Sequence, residues 1–346
     1  MNEGVAETVA NDPSAVERLA CLSNQLLHLI LLPTEACNFR CTYCYEEFRY
    51  KRMNPEVVRG VKNLMRRRSP GLSSLSLSWF GGEPLLATDI MVDVLSHARH
   101  LTGTNLGLAL TSDVTTNGYL LTPKVFRELL ALGVTQYQIS FDGPPVYHDR
   151  VRVMHGGKGT FDRIWENLLQ IRQVEGAFDI MIRLHASRFN IEALPEFIDS
   201  YETAFGRDAR FELYIRTLSR LGGPHDATLP VFELEEGRRA VERLRSYADS
   251  RGLRQASPRS QDSICYAART NSFVVRANGR LNKCTVALEH PNNQVGQIHE
   301  DGTVETDRGK ILMWMRGFRT GSSNELKCPM IGYADPTPVP VATVRT

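Results

Sequence analysis

Polar and apolar positions alternate through six short stretches of the chain, and stretches of helical period lie between them. Residues 26–32 (LLHLILL), 74–80 (SLSLSWF), 108–116, 134–142 (VTQYQISFD), 178–186 (FDIMIRLHA) and 209–217 (ARFELYIRT) predict strands. Residues 54–68, 87–101, 122–132, 160–174 and 191–204 predict helices. This order predicts an α/β fold with a parallel sheet and right-handed crossovers, an open or partial (β/α)6 barrel of the TIM type. Several strands carry a polar set at every second position: Gln136, Gln138, Ser140 and Asp142; then Arg183 and His185; then Glu212, Tyr214 and Arg216. Residues two apart on a strand share a face, so a lumen holding a polar ligand fits; an antiparallel sheet with one solvated face is the competing reading.

A helical stretch at 232–250 follows a Gly222-Gly223-Pro224 break, and a polar stretch at 255–263 precedes Cys265. The expected organisation is an N-terminal extension (1–24), a barrel (25–220), a connecting helix (221–260), a small C-terminal domain (261–335) and a tail (336–346). Asn278-Gly279 predicts a tight hairpin turn, because that dipeptide tolerates positive φ.

At 346 residues, 42% hydrophobic and 23% charged, the composition is that of a folded globular protein. Lys plus Arg total 41 against 39 acidic residues, too near balance to call for a nucleic acid or an anionic membrane as partner. The polar, acidic N-terminus and the lack of a long apolar run predict a cytoplasmic protein.

Of seven cysteines, Cys37, Cys41 and Cys44 fall within eight residues directly after the first strand; Cys265, Cys284 and Cys328 form a second, dispersed group, and Cys21 stands alone. Chemistry in barrels of this kind sits at the C-terminal ends of the strands. Three thiolates can hold three irons of a 4Fe-4S cluster and leave the fourth open to a chelating ligand. A closed zinc site is the bland reading, but it needs a fourth ligand and none lies nearby in sequence.

Cys37, Cys41 and Cys44 match the CxxxCxxC motif of the radical S-adenosylmethionine (radical SAM) superfamily. Phe80-Gly81-Gly82-Glu83-Pro84 after the second strand and Ser140-Phe141-Asp142-Gly143-Pro144 after the fourth resemble its peptide-modifying branch, over about residues 25–220. The resemblance implies that the open iron chelates the amino and carboxylate groups of S-adenosylmethionine (SAM), that Tyr43 lies against adenine, and that Gly81, Gly82 and Glu83 receive the amine. It also implies that Ser140 and Arg152 hold the carboxylate; Asn117 and Arg183 are further cofactor candidates in the lumen. Asp142, Glu212, Tyr214 and Arg216 are substrate candidates, and His148 and Asp149 could also serve. Arg66, Arg67 and Arg68 read as a solvated helix end.

Cys265, Cys284 and Cys328 resemble part of the SPASM or shorter twitch domain. A full SPASM domain has seven cysteines, so at most one auxiliary iron-sulfur cluster is expected, with Asp262, His290 and His299 as weak candidates for a fourth ligand. Buried structural thiols are the competing reading. Thr285 stands where the sulfatase-maturating relatives carry a basic Asp, which argues against formylglycine formation. The expected activity is hydrogen abstraction from a ribosomally made precursor peptide by a 5'-deoxyadenosyl radical, ending in a C-C, C-O or C-S crosslink. Peptide epimerisation, small-molecule dehydrogenation and formylglycine-type oxidation are the alternatives among enzymes, and a non-catalytic iron-sulfur scaffold the alternative outside them. The short segment before Cys37 implies a separate leader-recognition protein, and the chemistry implies an electron donor such as flavodoxin or ferredoxin.

Overall fold

The computed structural model describes residues 15–256 and 264–331; Asp262 and the tail lie outside them. In chain order the elements are α1 (Ala15–Leu22), β1 (Leu26–Leu31), α2 (Pro55–Arg68), β2 (Ser74–Trp79), α3 (Thr88–Thr104), β3 (Ala109–Thr116), α4 (Pro123–Ala131) and β4 (Val134–Phe141). Then come α5 (Pro145–Val151), α6 (Phe161–Ile171), β5 (Asp179–Ala186), α7 (Leu194–Phe205), β6 (Phe211–Thr217) and α8 (Leu234–Ser250). The chain continues through β7 (Ser272–Val275), β8 (Arg280–Asn282), β9 (Gln294–Ile298), β10 (Val304–Thr306), α9 (Arg308–Trp314), α10 (Arg316–Thr320) and α11 (Ser323–Lys327).

Strands β1 to β6 pair in sequence order, all parallel, each followed by a helix, as in a partial TIM barrel. β6 is left as an edge and the barrel stays open. The other side of β1 is taken by β7 in parallel, from which β8, β9 and β10 run on antiparallel, so one ten-stranded sheet spans both halves of the chain.

Register explains the alternation in the sequence. Tyr137, Ile139 and Phe141 stand beside Ile180, Ile182 and Leu184, with Leu213 and Ile215 next in line, all buried. They face the helices: the Phe141 ring lies 5.8 Å from Trp165 of α6 and 5.3 Å from Phe197 of α7. Burying each such side chain contributes about 1.5–3 kcal/mol. The intervening residues, Gln138–Met181–Glu212 and Ser140–Arg183–Tyr214, share the opposite, lumenal face. Lower in the lumen His28 bonds Ser78 Oγ at 2.9 Å and Ser272 Oγ at 3.1 Å, and Ser78 donates to Asp113 at 2.6 Å.

The β7–β8 hairpin forms, but not through a two-residue turn. Gly279 has φ +83° while Asn278 stays out of the left-handed region. Its side chain instead accepts from Arg280 N–H, and the turn closes by Arg276 N–H to Arg280 O. Among the described residues no helix is long and apolar enough to cross a membrane.

Candidate active site

The loop after β1 has no regular structure, and its position is set by its neighbours. Arg40 N–H and Thr42 N–H donate to Val153 O and Val151 O, and His155 N–H to Asn38 O, tying the cysteine loop to the segment after α5. Glu83 N–H donates to Ala36 O at 2.9 Å, fixing the same loop to the end of β2. A Cβ on Gly81, which has φ +122°, would strike Thr34 O, and one on Gly82 would come within 2.5 Å of Glu35 O and Ala36 O. These glycines let strand and loop touch; the steric demand comes from the protein's own backbone.

Cys37, Cys41 and Cys44 line one cavity of about 180 Å³ at the C-terminal ends of the strands. Burial pushes Cys44 up to about 12 and raises Cys37 and Cys41 as well. Three thiols on one wall form a donor set suited to iron and sulfide, which replace the thiol protons and compensate the burial of thiolate charge. Tyr43, Gly81, Gly82, Asn117, Ser140, Arg152, Arg183 and Arg216 line the same cavity.

Arg152 is buried and its Nη1 donates to Tyr43 OH at 2.8 Å, while its Nε lies 3.9 Å from Asp142 Oδ2, an ion pair without a hydrogen bond. That unused donor beside the thiols is the observation that fits an anionic group of a bound ligand. Tyr43 OH donates to Asp142 Oδ2 at 2.7 Å and lies 3.4 Å from His185 Nδ1. Burial works to raise Asp142, but His185 and Arg152 hold it below the usual carboxylate range; burial brings His185 down to about 4.

Other candidates lie elsewhere. Glu83 is fully buried and is not part of the cavity wall; its carboxylate accepts from Leu85 N, Thr116 Oγ1 and Asn117 N, joining the ends of β2 and β3. Asp142 sits behind the wall, engaged by Tyr43 and His185. Glu212 lines a separate lower cavity with Asp113, Asp179 and Arg254, and Tyr214, on the edge strand β6, lines a groove that α8 also borders. His148 is buried against Thr160, and Asp149 accepts from the N–H groups of Thr160 and Phe161 at the start of α6, so both act in the fold.

Gln138, of the polar set read on β4, lines the cavity too, as do Tyr45, Glu46 and the loop residues Leu218, Ser219 and Leu221, which sequence alone did not single out. The glycine break after β6 is part of the same enclosure: a Cβ on Gly223 would lie 2.6 Å from Cys44 O. Two glycines before a proline carried that signal, but it could not say what they pack against.

In the second group, Cys284 and Cys265 lie within electrostatic reach of the Tyr266 phenol, and Cys328 within reach of the Cys284 thiol. Tyr266 OH lies 2.8 Å from Thr285 Oγ1 and accepts from Thr285 N–H. Asn293 Oδ1 receives Cys284 N–H, and Cys265 N–H donates to Leu326 O. Cys21 is buried in a small cluster with Ile264, Ala268 and Leu326.

Residues 31–198 match the model of the Radical SAM superfamily. The chain is 26% identical over 310 residues to a GTP 3',8-cyclase of Cyanothece sp., covering 80% of this chain and 84% of that protein. It is 29% identical over 162 residues to an AdoMet-dependent heme synthase of Methanosarcina barkeri, a match that spans 46% of this chain and only 43% of the relative. Among solved structures, native anSMEcpe with bound AdoMet superposes with a TM-score of 0.64 at 17% identity, covering 83% of this chain and 80% of that one. Streptococcus suis SuiB bound to precursor peptide SuiA gives 0.58 at 16%, covering 84% and 65%. At such identities the likeness is one of fold.

Proposed function

Because this chain belongs to the radical SAM superfamily through residues 31–198, we propose that it is an enzyme that abstracts a hydrogen atom from a ribosomally made peptide and forms a side-chain crosslink, C-C, C-O or C-S. The observation that carries this reading is the gathering of Cys37, Cys41 and Cys44 in one cavity with Ser140 and the unused Nε of Arg152. Cys37, Cys41 and Cys44 would hold a 4Fe-4S cluster there, which would supply the electron for reductive cleavage of SAM and so the hydrogen-abstracting radical. Ser140 and Arg152 receive the SAM carboxylate by charge-assisted hydrogen bonds, the backbone at Gly81 and Gly82 meets the amine, and Tyr43 flanks the adenine. Phe39, Phe80, Leu218 and Leu221 line the remaining wall and keep water from the reacting carbon.

The likeness in fold to SuiB with its precursor peptide supports a peptide substrate. Cys265, Cys284 and Cys328 are proposed to hold one auxiliary cluster, in a SPASM- or twitch-like domain, that takes the second electron of the crosslink or ligates the substrate. A flavodoxin or ferredoxin is proposed as the electron donor, in the cytoplasm. Thr285, buried against Tyr266, offers no base for formylglycine formation.

The test is anaerobic incubation of the reconstituted enzyme with SAM, reductant and a precursor peptide encoded beside it. A product lighter by two hydrogens supports the crosslink; an unchanged mass with an inverted stereocentre would replace it with epimerisation. The similarity to GTP 3',8-cyclase along most of both chains favours a second reading, a small-molecule substrate. Turnover of a nucleotide with no change in the peptide would establish that one.

A further inference from the structure

Arg183 is a half-buried cation to which the described residues supply no counter-ion. It lines the cavity from β5, its Nε is sealed from solvent without a hydrogen-bond partner, and among the described residues no carboxylate forms an ion pair with it. After burial, the strongest influence on it is another cation, Arg216, which lines the same cavity from β6; the phenols of Tyr214, Tyr43 and Tyr45 act more weakly. Of the carboxyl groups near the wall, Asp142 is engaged by other side chains, and Glu46, which lines the same cavity with its Oε2 buried and without a hydrogen-bond partner, forms no ion pair with Arg183. Asp142 serves Tyr43, His185 and Arg152, and Glu46 sits beside Glu35 and Arg276.

A charge held partly out of water without a partner is unfavourable, and an arriving counter-charge would relieve it. SAM does not supply it. Its ammonium and sulfonium outnumber its one carboxylate, which Ser140 and Arg152 are proposed to receive, and its net positive charge would be balanced by the net negative charge of a cluster held by three thiolates. We propose that Arg183 and Arg216 form an oxyanion site for the other reactant, and that the substrate peptide presents an Asp or Glu carboxylate there, beside the carbon that loses hydrogen. This rests on the peptide reading of the site. The same chemistry would accept the phosphate of a nucleotide, so the test carries both sources.

The experiment is thermal unfolding of the reconstituted, SAM-loaded protein with N-acetylglutamate amide, N-acetylglutamine amide or GTP, at matched ionic strength. The acid is expected to raise Tm by about 2 °C or more over the amide, because a ligand that binds only the folded state stabilises it. Arg183→Gln should abolish the difference and Arg183→Lys, which keeps the charge, should retain it. Equal shifts with acid and amide in the natural protein, or a difference that survives Arg183→Gln, overturn the proposal. A shift with GTP but none with the acid keeps the oxyanion pair and overturns the peptide as its source. If Arg183→Gln does not fold, Arg216→Gln replaces it and the comparison in the natural protein still decides. Formation of 5'-deoxyadenosine by the same preparation reports on the radical reading separately.

Discussion

Arg276 grips both carboxylate oxygens of Glu35, Nε to Oε1 at 2.9 Å and Nη2 to Oε2 at 2.8 Å, with each side chain 2% exposed. Glu35 stands two residues before Cys37, and Arg276 follows β7, so a bidentate pair joins the cysteine loop to the segment that carries Cys284. Arg276 also reaches Glu289 at 2.5 Å and Leu288 O at 3.1 Å, and lies over the Tyr50 ring.

Arg276→Gln is expected to lower stability by about 3–5 kcal/mol, because it leaves Glu35 charged and buried without its partner. The double variant Glu35→Gln/Arg276→Met removes both charges and should recover much of that loss. Urea unfolding of the three proteins checks the account; a single variant as stable as the parent would refute it.

Gly81→Ala should displace the cysteine loop, since a Cβ there meets Thr34 O and the backbone holds φ +122°. Iron incorporation should fall well below that of the parent, with Tm lowered. Gly103→Ala in α3, where a Cβ meets nothing within 4 Å, should be neutral or stabilise by about 0.5–1 kcal/mol. Iron content and Tm measured on both variants separate the steric effect from a general intolerance of alanine.

The polar and apolar alternation was legible in the sequence because β4, β5 and β6 are each wetted on one face only. Ser140 and Arg183 turn to the lumen and Ile139 and Ile182 to the helices, as a period of two requires. The cysteine spacing likewise marked a donor set. The Glu35–Arg276 pair was not legible, because its residues lie 241 positions apart and no local pattern encodes which strands pair in parallel. The same holds for β7 beside β1, where a hairpin was expected but not its place in the sheet. Glu83 misled because a carboxylate after a Gly-Gly pair reads equally as a ligand group and as a buckle for backbone N–H groups, and only the partners Thr116 and Asn117 decide between them.

His148 and His185 predict a pH dependence of stability. Burial lowers His148 to about 3 and His185 to about 4, below the ordinary value near 6.5, so both are neutral in the folded protein at pH 7. As pH falls below about 6.5 the unfolded chain takes up protons that the folded one refuses. Stability is therefore full above that pH and is lost below it, by about 1.4 kcal/mol per unit for each histidine until its folded pKa is reached. The urea midpoint should drop from pH 7 to pH 5, and His148→Gln should shrink the drop. An identical slope in the variant would remove His148 from the explanation.

The second cysteine group can be isolated by replacing Cys37, Cys41 and Cys44 with Ala. After anaerobic reconstitution, about four irons per chain are expected, held by Cys265, Cys284 and Cys328. Near-zero iron in a folded variant would leave a single-cluster enzyme, and the crosslink would lose its second electron acceptor.

The central claim is that the cavity at Cys37, Cys41 and Cys44 generates a radical from SAM, and its most direct test is 5'-deoxyadenosine measured by mass spectrometry after anaerobic reconstitution with SAM and dithionite. The predicted result is 5'-deoxyadenosine from the natural protein and none above background from Cys41→Ala in a folded chain. Absence from the natural protein with its full complement of iron, even when precursor peptide is supplied, would contradict the claim and leave an iron-sulfur scaffold in its place.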